Sequence, residues 1–374
     1  MARLAFILGC VCSCILLQSG QQVLAWGYQG HEVVGAIADE LIKDNANASR
    51  QVHDILNSPL PSADEIKEQK DLLPGKRDLT LQQAGPWADC VKAVTHHDGD
   101  RFKYELDPAH PEYETPCIPF NSALERARME DYVKHNWSTP DCSYHPFGHE
   151  QGCHNTYHFD DVAIQRDSYD RSDLGTSSHD VVSAINAAIA VLTDKTPPPP
   201  FVIRDKKMAL LLLTHFVGDL HQPLHVGAVY LDPLGGRVDP DAAHQIDPAT
   251  ETAGGNSIQD GNVVLHAEWD DIPFDIGLKA TDELLQSARA VPADSAPMDG
   301  WAASWATDTM QVAHEAFKDL TFCPKTDEGK WPVSFADHDQ HMAYLHRMDE
   351  IKRQQLAKAG ARLAEILNTI WPKN

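Results

Sequence analysis

The stretch from Thr214 to His225, T-H-F-V-G-D-L-H-Q-P-L-H, sets His215, Asp219, His221 and His225 at the end of an apolar run from Met208 to Leu213. Each can bind a metal or carry a proton. On a helix, His215 and Asp219 are four positions apart and project from one face, so an imidazole and a carboxylate lie side by side. Such a pair is half of a metal site. Pro223 ends or kinks the helix and can turn His225 onto a position that a straight helix would deny it. Taken alone, the stretch equally describes a helix end with hydrogen-bonded histidines, so its chemistry depends on partners elsewhere.

Partners occur in the right types. His266-Ala267-Glu268-Trp269-Asp270 repeats the H-x-x-x-D spacing, Tyr157-His158-Phe159-Asp160-Asp161 offers a further imidazole, and Trp87-Ala88-Asp89 offers a carboxylate. Cleavage after Ala25 would expose the α-amine of Trp26. With a reference pKa near ~8, that amine deprotonates for ligation far more easily than a lysine. His31 follows five residues later. Neutral imidazole with carboxylate suits zinc in an open, catalytic site, whereas all-oxygen sets suit calcium or magnesium.

Trp26, W-A-D at 87–89, Y-H-F at 157–159, H-F-V-G-D-L-H-Q-P-L-H at 215–225 and H-A-E-W-D at 266–270, in this order, resemble the S1/P1 nuclease family. The resemblance implies a secreted, mainly α, single-domain fold shared with zinc-dependent bacterial phospholipases C, holding three zinc ions per chain. Asp89, His158, His215 and Asp219 would hold one. The Trp26 amine and carbonyl with His31 would hold a second, with Asp219 bridging the pair. His225, His266 and Asp270 would hold the third. The implied activity is hydrolysis of single-stranded DNA or RNA to 5′-phosphorylated products and removal of 3′-phosphate from nucleotides. Asp161 matches an acid that orients the attacking water, although it equally reads as a helix cap. Phe159 matches an aromatic lining the base site, and Asn256 of Gly254-Gly255-Asn256 a substrate-binding loop. Lys92 stands where the family often has Arg, keeping the charge but losing a bidentate grip on phosphate.

The elements that must position these groups are helical. Amphipathic or apolar patterns predict helices over 31–42, 51–56, 180–192 and 208–225, a helix start at 86–92, resumed helix from Tyr157, and helices over 262–271, 281–290, 301–320 and 338–370. Strand-like alternation is scarce. Residues of about 96–155 are rich in Pro, His and aromatics and hold Cys117, Cys142 and Cys153. They read as a long, disulfide-tethered insertion into one catalytic domain, 26–374. With Asp89 and His158 69 positions apart, this insertion is a candidate rim or lid.

Arg3, the apolar run Ala5–Leu17 and Val23-Leu24-Ala25 read as a signal peptide over 1–25. A lipobox-like reading at Cys10 leaves too short an apolar stretch. The expectation is a secreted or periplasmic monomer, with no later run long enough to span a membrane. A net charge of −24 argues against a broad basic groove for duplex nucleic acid, but not against phosphate beside bound cations. Cys142 with Cys153 is the most local disulfide, and the odd cysteine among Cys90, Cys117, Cys142, Cys153 and Cys323 is open. Asn47 and Asn136 lie in glycosylation sequons. Two other readings remain: a phospholipase C using the same ions, and a zinc-binding protein without catalysis.

Overall fold

The computed structural model describes residues 26–58, 78–97, 99–106, 114–138 and 152–373. It is mainly α. Helices α1 (Tyr28–Ile42), α2 (Ala46–Leu56), the one-turn α3 (Leu81–Ala84) and α4 (Trp87–Cys90), α5 (Glu114–Cys117), α6 (Ala123–His135), α7 (Val181–Leu192) and α8 (Lys206–Leu220) lead up to the central motif. After it come α9 (Pro240–Ala243), α10 (Leu265–Asp270), α11 (Asp282–Arg289), α12 (Trp301–Ala316) and the long α13 (His338–Ile370).

Helix α8 is central because nothing on it from Lys207 onward faces water. Its N-cap Asp205 accepts from Met208 N, and α7, capped in the same way by Asp180, packs along it. Helix α1 lies against α13, α3 and α8. Together they enclose one large core running from Trp26 to Leu367. A smaller core under Trp269, Trp331 and Tyr344 supports α10. No helix among the described residues is long and apolar enough to cross a membrane.

Several expectations are corrected. Helix does not resume at Tyr157: Cys153–His158 is a 3-10 turn, and Phe159 is already extended. The helix start at 86–92 yields one turn, then a 3-10 turn and the hairpin β1 (Val94–His96) and β2 (Phe102–Tyr104). Residues 262–271 open as a strand, because β3 (Ile258–Asp260) and β4 (Val263–Val264) pair across Gly261 before α10 begins. Strand β3 also pairs in parallel with β5 (Trp331–Ser334), Ile258 opposite Trp331. Ladders of two or three residues carry too little alternation to be read from sequence.

Among the described residues a disulfide joins Cys90 to Cys117, tying the segment after Phe102 back to α4; Cys153 is also disulfide-bonded, and Cys323 is buried. Cys142 of the expected 142–153 pair lies outside the described residues, as do the signal segment, His145 and His149. Asn136 is no glycosylation site in the folded chain. It is fully buried, donates to Tyr132 O and Val202 O, and accepts from Val202 N and Tyr157 Oη.

Candidate metal centre

Three groups of buried side chains converge where α1, α4, α8 and α10 meet: His31, His215 and Asp219; Asp89, His158 and His215; and His225, His266 and Asp270. Every one of the eight side chains expected as a ligand is in a group. Trp26, expected to ligate through its main chain, is fully buried in the large core, and Gly27 N donates to Asp270 O at 3.1 Å. The start of the described chain therefore sits beside the third group.

The first two groups form around Asp219. Its Oδ2 lies 2.9 Å from His158 Nδ1 and 3.1 Å from His215 Nε2, and its Oδ1 lies 3.4 Å from His31 Nε2. His31 stacks on His215 with centroids 3.6 Å apart. The absence of a side chain at Gly218 makes this possible, since a Cβ there would stand 2.7 Å from His31 Nδ1. Asp89 reaches in from α4, its Oδ1 held at 2.7 Å by Lys92 Nζ.

In the third group, Pro223 works as the sequence predicts. Helix α8 stops at Leu220, and a 3-10 turn over Pro223–His225 swings His225 toward His266. His225 Nδ1 donates to His158 O at 2.9 Å and His266 Nδ1 to Gly254 O at 2.5 Å. A carbonyl can only accept, so each Nδ1 carries the proton and each Nε2 presents a bare lone pair. Those two Nε2 atoms face each other 3.2 Å apart. No hydrogen bond can join them. The separation is close to the edge of a tetrahedron with zinc–nitrogen bonds, about 3.3 Å. His215 is held likewise, Nδ1 donating to Gly85 O at 2.8 Å.

The unpartnered atoms point the same way. Asp89 Oδ2, Asp219 Oδ1, Asp270 Oδ2 and both His31 nitrogens are buried without a hydrogen bond. An unmet buried polar atom costs about 1–3 kcal/mol, so five in one place fit cations rather than a dry core. The charges agree. Burial pushes the Asp219 carboxyl up, but His215 and the imidazoles of His158 and His31 more than offset this and hold it well below the usual carboxylate range. Burial, with Lys92, pushes His158 down to about 3, and burial, with His225, does the same for His266. His31, His158, His225 and His266 are thus held toward neutral imidazole and Asp89 and Asp219 toward carboxylate, the forms that metal ligation needs. By contrast, Asp219 and Asp89 outweigh burial and raise His215, and burial pushes the Asp270 carboxyl up.

This arrangement occurs in a known setting. The family model described as S1/P1 Nuclease matches residues 26–372. The chain belongs to the S1/P1 nuclease family. Endonuclease 2 of Arabidopsis thaliana is 26% identical over 360 residues, covering 95% of this chain and 94% of that protein.

The remaining residues expected at the site lie around these donor groups. Lys92 is partly exposed and bonded to Asp89. Phe159 and Asp161 are half-buried just beyond His158. Asp161 caps no described helix. Its main chain bonds Gly175 O and Tyr230 Oη, and burial, with Glu251, pushes its carboxyl up to about 7. Asn256 turns its amide back onto Ala253 O at 2.8 Å. The loop holding it serves the centre chiefly through Gly254, whose φ of +58° aims the carbonyl at His266.

Sequence reasoning passed over Gln222. It is fully buried, donates from Nε2 to Asp270 Oδ1 at 2.8 Å, and accepts from Leu224 N. It thereby leaves Asp270 one open oxygen, 3.4 Å from His266 Nε2. Its position between Asp219 and His225 was the available signal. Glu251, which bears on Asp161, had none.

Proposed function

We propose that this chain is a secreted zinc phosphodiesterase that cuts single-stranded DNA and RNA to 5′-phosphorylated products and removes 3′-phosphate from nucleotides. The observation that carries the proposal is the pair of bare imidazole nitrogens, His225 Nε2 and His266 Nε2, facing each other 3.2 Å apart beside the open Asp270 oxygen. Asp89, His158, His215 and Asp219 would hold one ion, His31 with the Trp26 terminus and Asp219 a second, and His225, His266 and Asp270 the third. Zinc in such a site supplies Lewis acidity toward phosphate oxygens and an acidified water.

The chain's own groups do the rest. Lys92 keeps Asp89 in place and offers positive charge to an incoming phosphate. Asp161, with a carboxyl near neutrality, accepts a proton from a water placed against the phosphorus and orients it. Phe159 offers a ring to the base, and stacking of this kind tolerates any sequence. The buried floor excludes bulk water. Residues 1–25 serve as a signal whose removal frees Trp26, residues 26–374 form one catalytic domain, and the protein acts as a monomer. Support for this reading comes from the family membership and from the donor chemistry.

Purified mature protein is tested on single-stranded DNA, a 3′-nucleotide and phosphatidylcholine, with zinc content measured in parallel. Hydrolysis of the first two is expected. Activity on the lipid alone would make it a phospholipase C, and bound zinc without turnover would make it a zinc-binding protein.

A further inference from the structure

The rim of the centre is electrically lopsided. Residues 239–251, whose Glu251 bears on Asp161, hold four acidic residues and no Lys or Arg, and Arg166 alone pairs with two of the four, Asp239 and Asp241. Residues 92–105 hold three Lys or Arg and three Asp or Glu, net zero in a chain of charge −24. A polyanion is repelled least along the second side.

That side also carries the aromatic surface. His96 on β1 and Phe102 on β2 lie nearly parallel with centroids 4.7 Å apart. Trp137, just past α6, leans on both at 5.0 and 5.5 Å. His96 is exposed, and Phe102 and Trp137 keep part of their rings in solvent. The cluster is tied to Lys92 by a short stretch of chain. His96 lies four residues beyond Lys92, no more than about 14 Å along the chain. Trp137 also contacts His154 at 6.1 Å, and the charge of Lys92 bears on that imidazole.

We propose that His96, Phe102 and Trp137 form a shelf on which unpaired bases of a single-stranded substrate stack as its backbone passes Lys92. The inference rests on the nuclease reading above and adds to it a site outside the metal centre. A shelf outside the ligand set is touched by a base beyond the scissile phosphate, which a mononucleotide does not supply. It therefore gives the enzyme a preference for strands over mononucleotides, with no reading of sequence.

The test is a pair of substrates, oligothymidylate and a 3′-nucleotide, given to the zinc-loaded protein and to the double variant His96→Ala/Phe102→Leu, which keeps an apolar side chain at 102. KM for the oligonucleotide should rise about ten-fold with kcat unchanged, while the kinetics on the 3′-nucleotide stay within two-fold. Trp137→Phe, which retains a ring, should stay near wild type. An oligonucleotide KM that does not move, or one that rises equally for the 3′-nucleotide, overturns the shelf. Wild-type protein that turns over the 3′-nucleotide but no strand also overturns the shelf, and leaves the centre's phosphoesterase chemistry standing.

Discussion

The two ends of the metal centre are built by different forces. Around Asp219 most donors stand on helices, His215 bonded to Gly85 O and Asp89 to Lys92, but one donor is held by packing alone. His31 has no hydrogen bond to either nitrogen and is fixed by stacking on His215 and by the bare backbone at Gly218. Around Asp270 the donors stand at a 3-10 turn and a six-residue helix, and hydrogen bonds to Gly254 O, His158 O and Gln222 fix them. The first end should therefore fail when volume is added, and the second when a hydrogen bond is removed.

Asp219→Ala should have the largest effect, because this carboxylate serves both of the first two donor groups. Activity should fall about a thousand-fold or more, and metal analysis should find more than one zinc lost per chain. Retention of three zincs would remove the bridging role. Next comes Gly218→Ala, whose Cβ would stand 2.7 Å from His31 Nδ1 between packed helices. Overpacking of this kind costs about 1–3 kcal/mol, so zinc should leave the Asp219 end while the Asp270 end stays loaded. Loss of zinc from the Asp270 end instead would erase the contrast.

The legibility of the two ends differs for the same reason. The donors could be read from sequence because His215 and Asp219, like His266 and Asp270, repeat with the helical period. The helices α1, α7, α8, α12 and α13 were readable from their apolar patterns. What aims the donors was not. Gly85 O, His158 O and Gly254 O are main-chain atoms, identical in every residue, and only the folding together of positions 12 to 130 apart selects them. The Cys90–Cys117 bond and the β3–β5 pairing are likewise decided by tertiary approach.

Gln222→Leu sharpens the contrast from the other side, since leucine keeps the volume and deletes the donor. Zinc affinity at the Asp270 end should fall about ten- to hundred-fold, as chelator competition would show, with the Asp219 end unchanged. Gln222→Glu replaces the donor with a charge against Asp270 and should be no better. If the leucine variant binds three zincs with unchanged affinity, the amide is only filling space.

The smallest effect lies outside both ends and concerns what acid does to the metal-free chain. His154 is buried beside Lys92, and burial, with that charge, pushes its pKa from 6.5 down to about 3. The unfolded chain therefore binds a proton below pH 6.5 that the folded chain refuses until about pH 3. Stability from keeping this ring neutral is fully present above pH 6.5 and is lost as pH falls through that window. His158 and His266, also near 3, add the same dependence in the absence of metal. Each such group steepens the loss by up to about 1.4 kcal/mol per pH unit. Urea midpoints measured in chelator between pH 7 and 4 should show His154→Gln with a slope shallower by about one proton. An unchanged slope would mean that the folded chain already admits a proton at His154. Because zinc bound as proposed would hold His158 and His266 neutral and would not touch His154, loading the metal should flatten the dependence without abolishing it, and what remains should vanish in the variant.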